Sequence, residues 1–230
     1  TLSIESIRRR LQLIHAHGIK NVRVLDRTFN YNPRRAKELL RLFLEFHPDI
    51  RFHLEIHPAL LSEELKEELS LLPKGLLHLE AGIQSLREPV LEKSRRMGKL
   101  SDALDGLRFL CALPNMETHA DLIAGLPLYH LHEIFEDVRT LAGYAAGEIQ
   151  LESLKLLPGT EMRRRAEESG IKYSPLPPYE VLQTHEINVS ELQTARQLSR
   201  LLDGFYNTPA WQALTRELIL NDEQFLHRFL

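Results

Sequence analysis

Five apolar, strand-like runs in this chain each end in a polar signature, and segments with helical periodicity fill the intervals between them. The signatures are LDRTFN (25–30), HLEIHP (53–58), EAGIQS (80–85), DLIAGLP (121–127) and LESLKLLPGT (151–160). Strand, polar loop, helix, repeated, is the order of a parallel (β/α) barrel, a fold whose chemistry sits at the carboxyl ends of its strands.

The periodicity places the elements. Ile4, Ile7, Leu11 and Ile14 predict a helix over 3–17, with Ser3 as N-cap and Gly18 as stop. A strand follows through Val22, Val24 and Leu25, then a helix from Pro33, a residue suited to a first helical turn, to His47. Further strands are expected at 50–56, 76–80, 116–123 and 148–156. Helices are expected from Ser62 to just before Pro73 and at 89–94, 101–113, 131–145 and 160–169. The proline-rich SPLPPYE (174–180) can continue neither a helix nor a central strand, and 189–230 reads as largely helical around the single tryptophan, Trp211. The fold class expected is α/β. Residues 1–175 form a partial TIM-like (β/α) barrel with parallel strands, and 176–230 a C-terminal helical extension. Because the chain opens at Thr1 on a helix with no strand before it, the barrel is expected to lack its first strand, as a piece of a longer protein does.

Charge excludes some partners. With 29 basic and 32 acidic side chains the net charge is −3, which gives no reason to expect nucleic acid or an anionic membrane. No apolar stretch approaches the roughly 20 residues that span a bilayer, and the amphipathic N-terminus lacks a signal-peptide core, so a cytoplasmic protein is expected. The single cysteine, Cys111, cannot form an internal disulfide or anchor a metal cluster alone, and its helical surroundings read as core.

Side chains two apart on a strand share a face. His53, Glu55 and His57 therefore point one way, as do His78 with Glu80, His119 with Asp121, and Glu148 with Gln150 and Glu152. Charge on an interior face is costly unless it is paired or serves a site. Two kinds of site fit: a divalent metal held by histidines and carboxylates, with His53-x-Glu55-x-His57 offering three ligands on one strand, or a polar cofactor hydrogen-bonded by these groups. A satisfied internal network is the plain alternative.

Three of the signatures carry a resemblance. EAGIQS, DLIAGLP and HLEIHP, each ending an expected strand and together in the right order along the chain, resemble motifs of the radical S-adenosylmethionine (SAM) superfamily, over 1–175 and more weakly in the tail. The closest likeness is to the branch that includes cobalamin-associated members and oxygen-independent coproporphyrinogen oxidase. The resemblance implies a radical SAM enzyme, an Fe–S oxidoreductase that binds SAM and a [4Fe–4S] cluster and generates a 5′-deoxyadenosyl radical for an unidentified small-molecule substrate. It also implies cobalamin in an upstream domain of the parent chain. Glu55 and Gln84 would contact the methionyl and ribose parts of SAM, and Arg96, or Arg95 one register away, its carboxylate. Asp121 would bond a ribose hydroxyl, Asp26 and Thr28 would stand where the amino group is received, Gly125 would let the backbone approach, and Leu154–Leu157 would run beside the adenine.

The sequence departs from the family pattern twice. Nothing in it supplies the Cys-x-x-x-Cys-x-x-Cys cluster motif, and Leu128-Tyr129-His130 replace the glycine and acidic or amide residue that usually follow DLIAGLP. The fragment alone is expected to have no radical activity. A metal-dependent hydrolase on His53, Glu55, His57, His119 and Asp121, and a degenerate barrel serving as a binding module, are the competing readings.

Overall fold

The computed structural model describes residues 2–26 and 28–229; Thr1, Leu230 and Arg27, which lies inside the LDRTFN signature, fall outside the described residues. The order of elements is α1 (Ile4–Ala16), β1 (Asn21–Val24), α2 (Pro33–Leu44), β2 (Arg51–Ile56), α3 (Glu63–Leu71), β3 (Leu77–Gln84), α4 (Glu88–Lys93), α5 (Leu100–Ala112), β4 (Glu117–Ala124), α6 (Leu131–Gly143) and β5 (Glu148–Ser153). There follow α7 (Glu161–Arg164), β6 (Lys172–Tyr173), β7 (Val181–Gln183), α8 (Val189–Leu201), α9 (Pro209–Asn221) and α10 (Phe225–Phe229). The five long strands make one parallel sheet in the order β1-β2-β3-β4-β5, with helical crossovers between them; the described residues do not close it into a barrel.

Caps set the helix starts where the sequence marks them. Ser3, Asn32 and Ser62 accept from the backbone N–H three residues on, and Pro33 holds the first position of α2. On β2 and β3 burial alternates residue by residue: Phe52, Leu54 and Ile56, and Leu77, Leu79, Ala81 and Ile83, are buried, while the residues between them are half-buried.

By internal contacts the chain divides into two units, the first holding residues up to Gly82 together with Ser101–His119, the second Ile83–Leu100 together with Ala120 onward. In the first, α2 buries Ala36, Leu39, Leu40 and Phe43, and the Phe43 ring stacks on Phe52 at 4.0 Å between centroids. Buried Asn30 holds the turn after β2: its amide nitrogen donates to the His57 carbonyl and its oxygen accepts from the His57 N–H, both at 2.9 Å. Helix α5 approaches the same turn so closely that a Cβ at Gly106 would stand 2.2 Å from the Pro58 carbonyl oxygen.

In the second unit the C-terminal helices cover the outer edge of β5. Asn207 accepts from the Ile149 N–H at 2.9 Å and donates to the Ile149 carbonyl at 3.0 Å, and the Tyr206 hydroxyl donates to the Ala146 carbonyl at 2.9 Å. One side-chain amide thus pairs with an edge strand as a neighbouring strand does. The segment expected as a helix over 160–169 is a single turn, α7, followed by a short 3₁₀ turn that ends at left-handed Gly170. The segments flanking SPLPPYE pair as a two-stranded antiparallel hairpin, β6 with β7. No helix among the described residues is long and apolar enough to cross a membrane.

Gly106→Ala should destabilise the protein by about 2–3 kcal/mol, because a backbone carbonyl cannot give way as a side-chain tip can. Urea unfolding measures it, and a loss below about 0.5 kcal/mol contradicts the close approach of α5 to Pro58.

Candidate functional site

The residues singled out in the sequence fall in both units. In the first, Asp26 and Thr28 share one turn after β1, where the Thr28 N–H donates to Asp26 Oδ1 at 3.4 Å. Glu55, the penultimate residue of β2, is half-buried, with its Oε1 3.9 Å from Arg23 Nη2.

In the second unit, Gln84 is the last residue of β3 and has φ +72°, in the left-handed region where a side chain costs about 1–2 kcal/mol. Its Oε1 is buried and has no hydrogen-bond partner among the described residues. Arg96 and Asp121 are brought together. Burial pulls the Arg96 guanidinium below its ordinary pKa, and the charge of Asp121 opposes that shift. Arg95, the register alternative, points elsewhere: it is exposed, has φ +53°, and its Nη1 donates to Glu161 Oε2 at 2.5 Å. Gly125 follows β4 with φ +90°, and the space a Cβ would take is bordered by Val181 at 3.4 Å and Leu192 at 3.6 Å. The backbone conformation is what requires glycine there.

What holds Gln84 in its strained conformation is a carboxylate that the sequence reading passed over. Asp137, fully buried in α6, accepts from the Leu86 N–H at 2.8 Å, the Ser85 hydroxyl at 3.3 Å, Arg87 Nε at 2.9 Å and the Tyr129 hydroxyl at 2.6 Å. Ser85 and Leu86 belong to the loop after β3, and Tyr129 to the loop after β4. One side chain therefore fastens the loops that carry Gln84 and Gly125. Burial raises the Asp137 carboxyl above its usual range against these hydrogen bonds, and pushes the Tyr129 hydroxyl well above its own with the help of Asp137. The signal was present in the sequence: Asp137 lies on the apolar stripe of Ile134, Val138 and Leu141.

A second polar cluster occupies the first unit. The His53, His78 and His119 rings lie with centroids 4.5, 5.1 and 5.7 Å apart, and their ligand nitrogens all fall within 4.8 Å of one another. Burial, then the neighbouring His119, His53 and Arg51, push the His78 imidazole down to about 4. The expected set on one strand, His53 with Glu55 and His57, is not among the described groups that converge. Residues two apart on a strand stand about 6–7 Å from each other, so cross-strand neighbours meet instead. Cys111 is half-buried in α5, and burial pushes its thiol up to about 11, the opposite of a thiolate ligand.

The model of the radical SAM superfamily matches residues 1–141. The chain belongs to the radical SAM superfamily. A second model, a family described only as a protein of unknown function, DUF4080, matches residues 167–227. No curated protein matches the chain. Among solved structures, TsrM from Kitasatospora setae, a radical SAM methyltransferase solved with tryptophan and a SAM analogue bound, aligns at 20% identity and TM-score 0.62 over 85% of this chain and 40% of its own. Coproporphyrinogen III oxidase from Escherichia coli, a radical SAM enzyme, aligns at 16% identity and TM-score 0.53 over 75% of this chain and 37% of its own. Elp3 from the archaeon Methanocaldococcus infernus aligns at 15% identity and TM-score 0.52 over 70% of this chain and 44% of its own. This radical SAM chain thus spans about two fifths of the length of these structures, and at such identities the likeness is one of fold.

Asp137→Asn should cost about 2–4 kcal/mol, since it leaves Arg87 without its buried counter-charge and turns an amide donor towards other donors. Tyr129→Phe should cost about 1–2 kcal/mol. Chemical unfolding of both variants checks the fastening role, which two changes under about 0.5 kcal/mol would remove.

Proposed function

We propose that this chain forms the SAM-binding part of a radical SAM enzyme, with the methionyl carboxylate gripped by Arg96. The observation that carries the reading is in the second unit. The half-buried Arg96 guanidinium lies within electrostatic reach of Asp121, and Gln84 is held at the end of its strand in a strained conformation with a buried acceptor left over. Strain of this kind persists where the surroundings over-determine it, and here Asp137 and its donors do so. These residues fit SAM. Arg96 supplies the fork that matches a carboxylate, Asp121 accepts from a ribose hydroxyl, Gln84 Oε1 accepts from a ligand donor, and Glu55 accepts from the ammonium. Asp26 and Thr28 contribute polar atoms for the amino group, and the backbone at Gly125 comes close to the ligand.

They do not fit the cluster. One half-buried thiol cannot supply three thiolates, so this chain's own residues do not hold a [4Fe–4S] centre. SAM held by these residues, with a [4Fe–4S] centre in the intact protein, would supply 5′-deoxyadenosyl radical chemistry to the parent. The chain's contribution is to orient the sulfonium nucleoside and to fix its two ends. Cobalamin in a further domain of the parent is supported by the branch of the family that the motifs resemble and by the likeness in fold to TsrM, which was solved with cobalamin bound.

Equilibrium dialysis with labelled SAM on the intact protein, reconstituted anaerobically with iron and sulfide, tests the assignment. Arg96→Ala should weaken binding by about tenfold or more, and Arg95→Ala by less than about threefold. Equal losses, or a larger one at Arg95, would overturn the placement of the carboxylate.

A further inference from the structure

We propose that His53, His78 and His119 form a zinc site that staples β2, β3 and β4 on their polar face. The site lies wholly in the first unit and does not rest on the SAM reading. The register His53↔His78 and Glu55↔Glu80 sets the neighbours. His78 Nε2 stands 3.0 Å from His119 Nδ1, His53 Nε2 stands 2.8 Å from Glu80 Oε2, and His119 Nε2 is 4.0 Å from the same oxygen. The ligand nitrogens of the three rings lie within 4.8 Å of one another, and zinc–nitrogen bonds of about 2.0–2.1 Å put donors about 3.3 Å apart, so rings already in contact need only draw in to hold one ion. Three imidazoles are borderline donors of the kind zinc takes, and they leave the fourth position to water.

The surroundings supply the shell that orients metal-bound histidines. Arg51 Nη2 donates to His78 Nδ1 at 2.9 Å. A guanidinium cannot accept, so in the metal-free arrangement the His78 proton is on Nε2 and goes to His119 Nδ1. Zinc on Nε2 moves that proton to Nδ1, where Glu117 Oε2, 3.6 Å away and already paired with Arg51, can accept it. The change is one of tautomer, with no proton lost from the ring. Glu55, Glu80 and Glu117 outnumber Arg23 and Arg51 around the cluster, which favours a cation. His53 is about one quarter exposed and gives the ion a way in, while His119 is almost fully buried.

The test uses the full chain, freed of metal by a chelator and of any affinity tag, titrated with zinc chloride. One equivalent should bind and raise the melting temperature, as a ligand of the folded state does. His119→Gln and His53→Gln should each weaken binding by more than about 100-fold, and Glu117→Gln by about tenfold, with circular dichroism unchanged without metal. Should His119→Gln fail to fold, His53→Gln and Glu117→Gln carry the test. His130→Gln with His132→Gln, which removes the exposed stacked pair at the start of α6, should leave the zinc affinity and the zinc-dependent rise unchanged. No zinc-dependent rise in melting temperature, zinc that survives loss of His53, or zinc that follows the His130–His132 pair would each overturn the site.

Discussion

The alternation of burial along β2 and β3 governs what the rest of the chain can do. Phe52, Leu54 and Ile56 face the helices, with Phe52 stacked beneath Phe43, so Arg51, His53 and Glu55 must face the other way. On β3 the same rule separates Leu77, Leu79, Ala81 and Ile83 from His78, Glu80 and Gln84. A slip of one residue in either strand would bury three or four polar side chains against α2 and expose as many apolar ones, a loss that no loop interaction could offset. The polar face is therefore fixed in register by the apolar one.

Register places the strands, but the loops at their ends need separate anchors, and in both units the anchor is a buried polar side chain. Asn30 uses both atoms of its amide on the His57 backbone, as a neighbouring strand would. Asp137 gathers a backbone N–H, two hydroxyls and a guanidinium. Because neither group reaches water, every donor set against it loses its partner outright when it is removed, and this is how a single side chain can hold a loop against left-handed strain.

The strong periodicities were legible. The helices that pack on the sheet and the order of the parallel strands follow from where apolar residues recur. Weak ones were not. Two strands of two and three residues are too short to show period two, so the β6–β7 hairpin is invisible in SPLPPYE and its flanks. The helix expected over 160–169 stops early where the Arg163 guanidinium lies between the Tyr173 and Tyr179 rings, 4.9 and 4.8 Å from their centroids, a tertiary contact that no helical pattern carries. In the candidate site, the sequence gives no reason to separate Arg96 from Arg95; the structure half-buries one guanidinium within electrostatic reach of Asp121 and sends the other out to Glu161. Asp137 could have been noticed as a charge on an apolar stripe. Asn30 could not, since LDRTFN reads as a polar loop whichever of its residues is buried.

The histidines show most plainly why a strand read alone misleads. Along β2 the eye groups His53 with Glu55 and His57, yet successive inward residues are held about 6–7 Å apart by the pleat, too far for one small ion. Neighbouring strands are about 4.8 Å apart, so a ring on β2 meets one on β3 at the same level before it meets its own strand's next residue. Contact between His53 and His78 is thus a property of the pairing. It also puts Glu55 one step above the histidine level, next to Glu80 in register. An ion that locked His53 to His78 would fix the height and tilt of both strands at that level. The carboxylate assigned to the SAM ammonium would then sit on a frame whose rigidity is set from below.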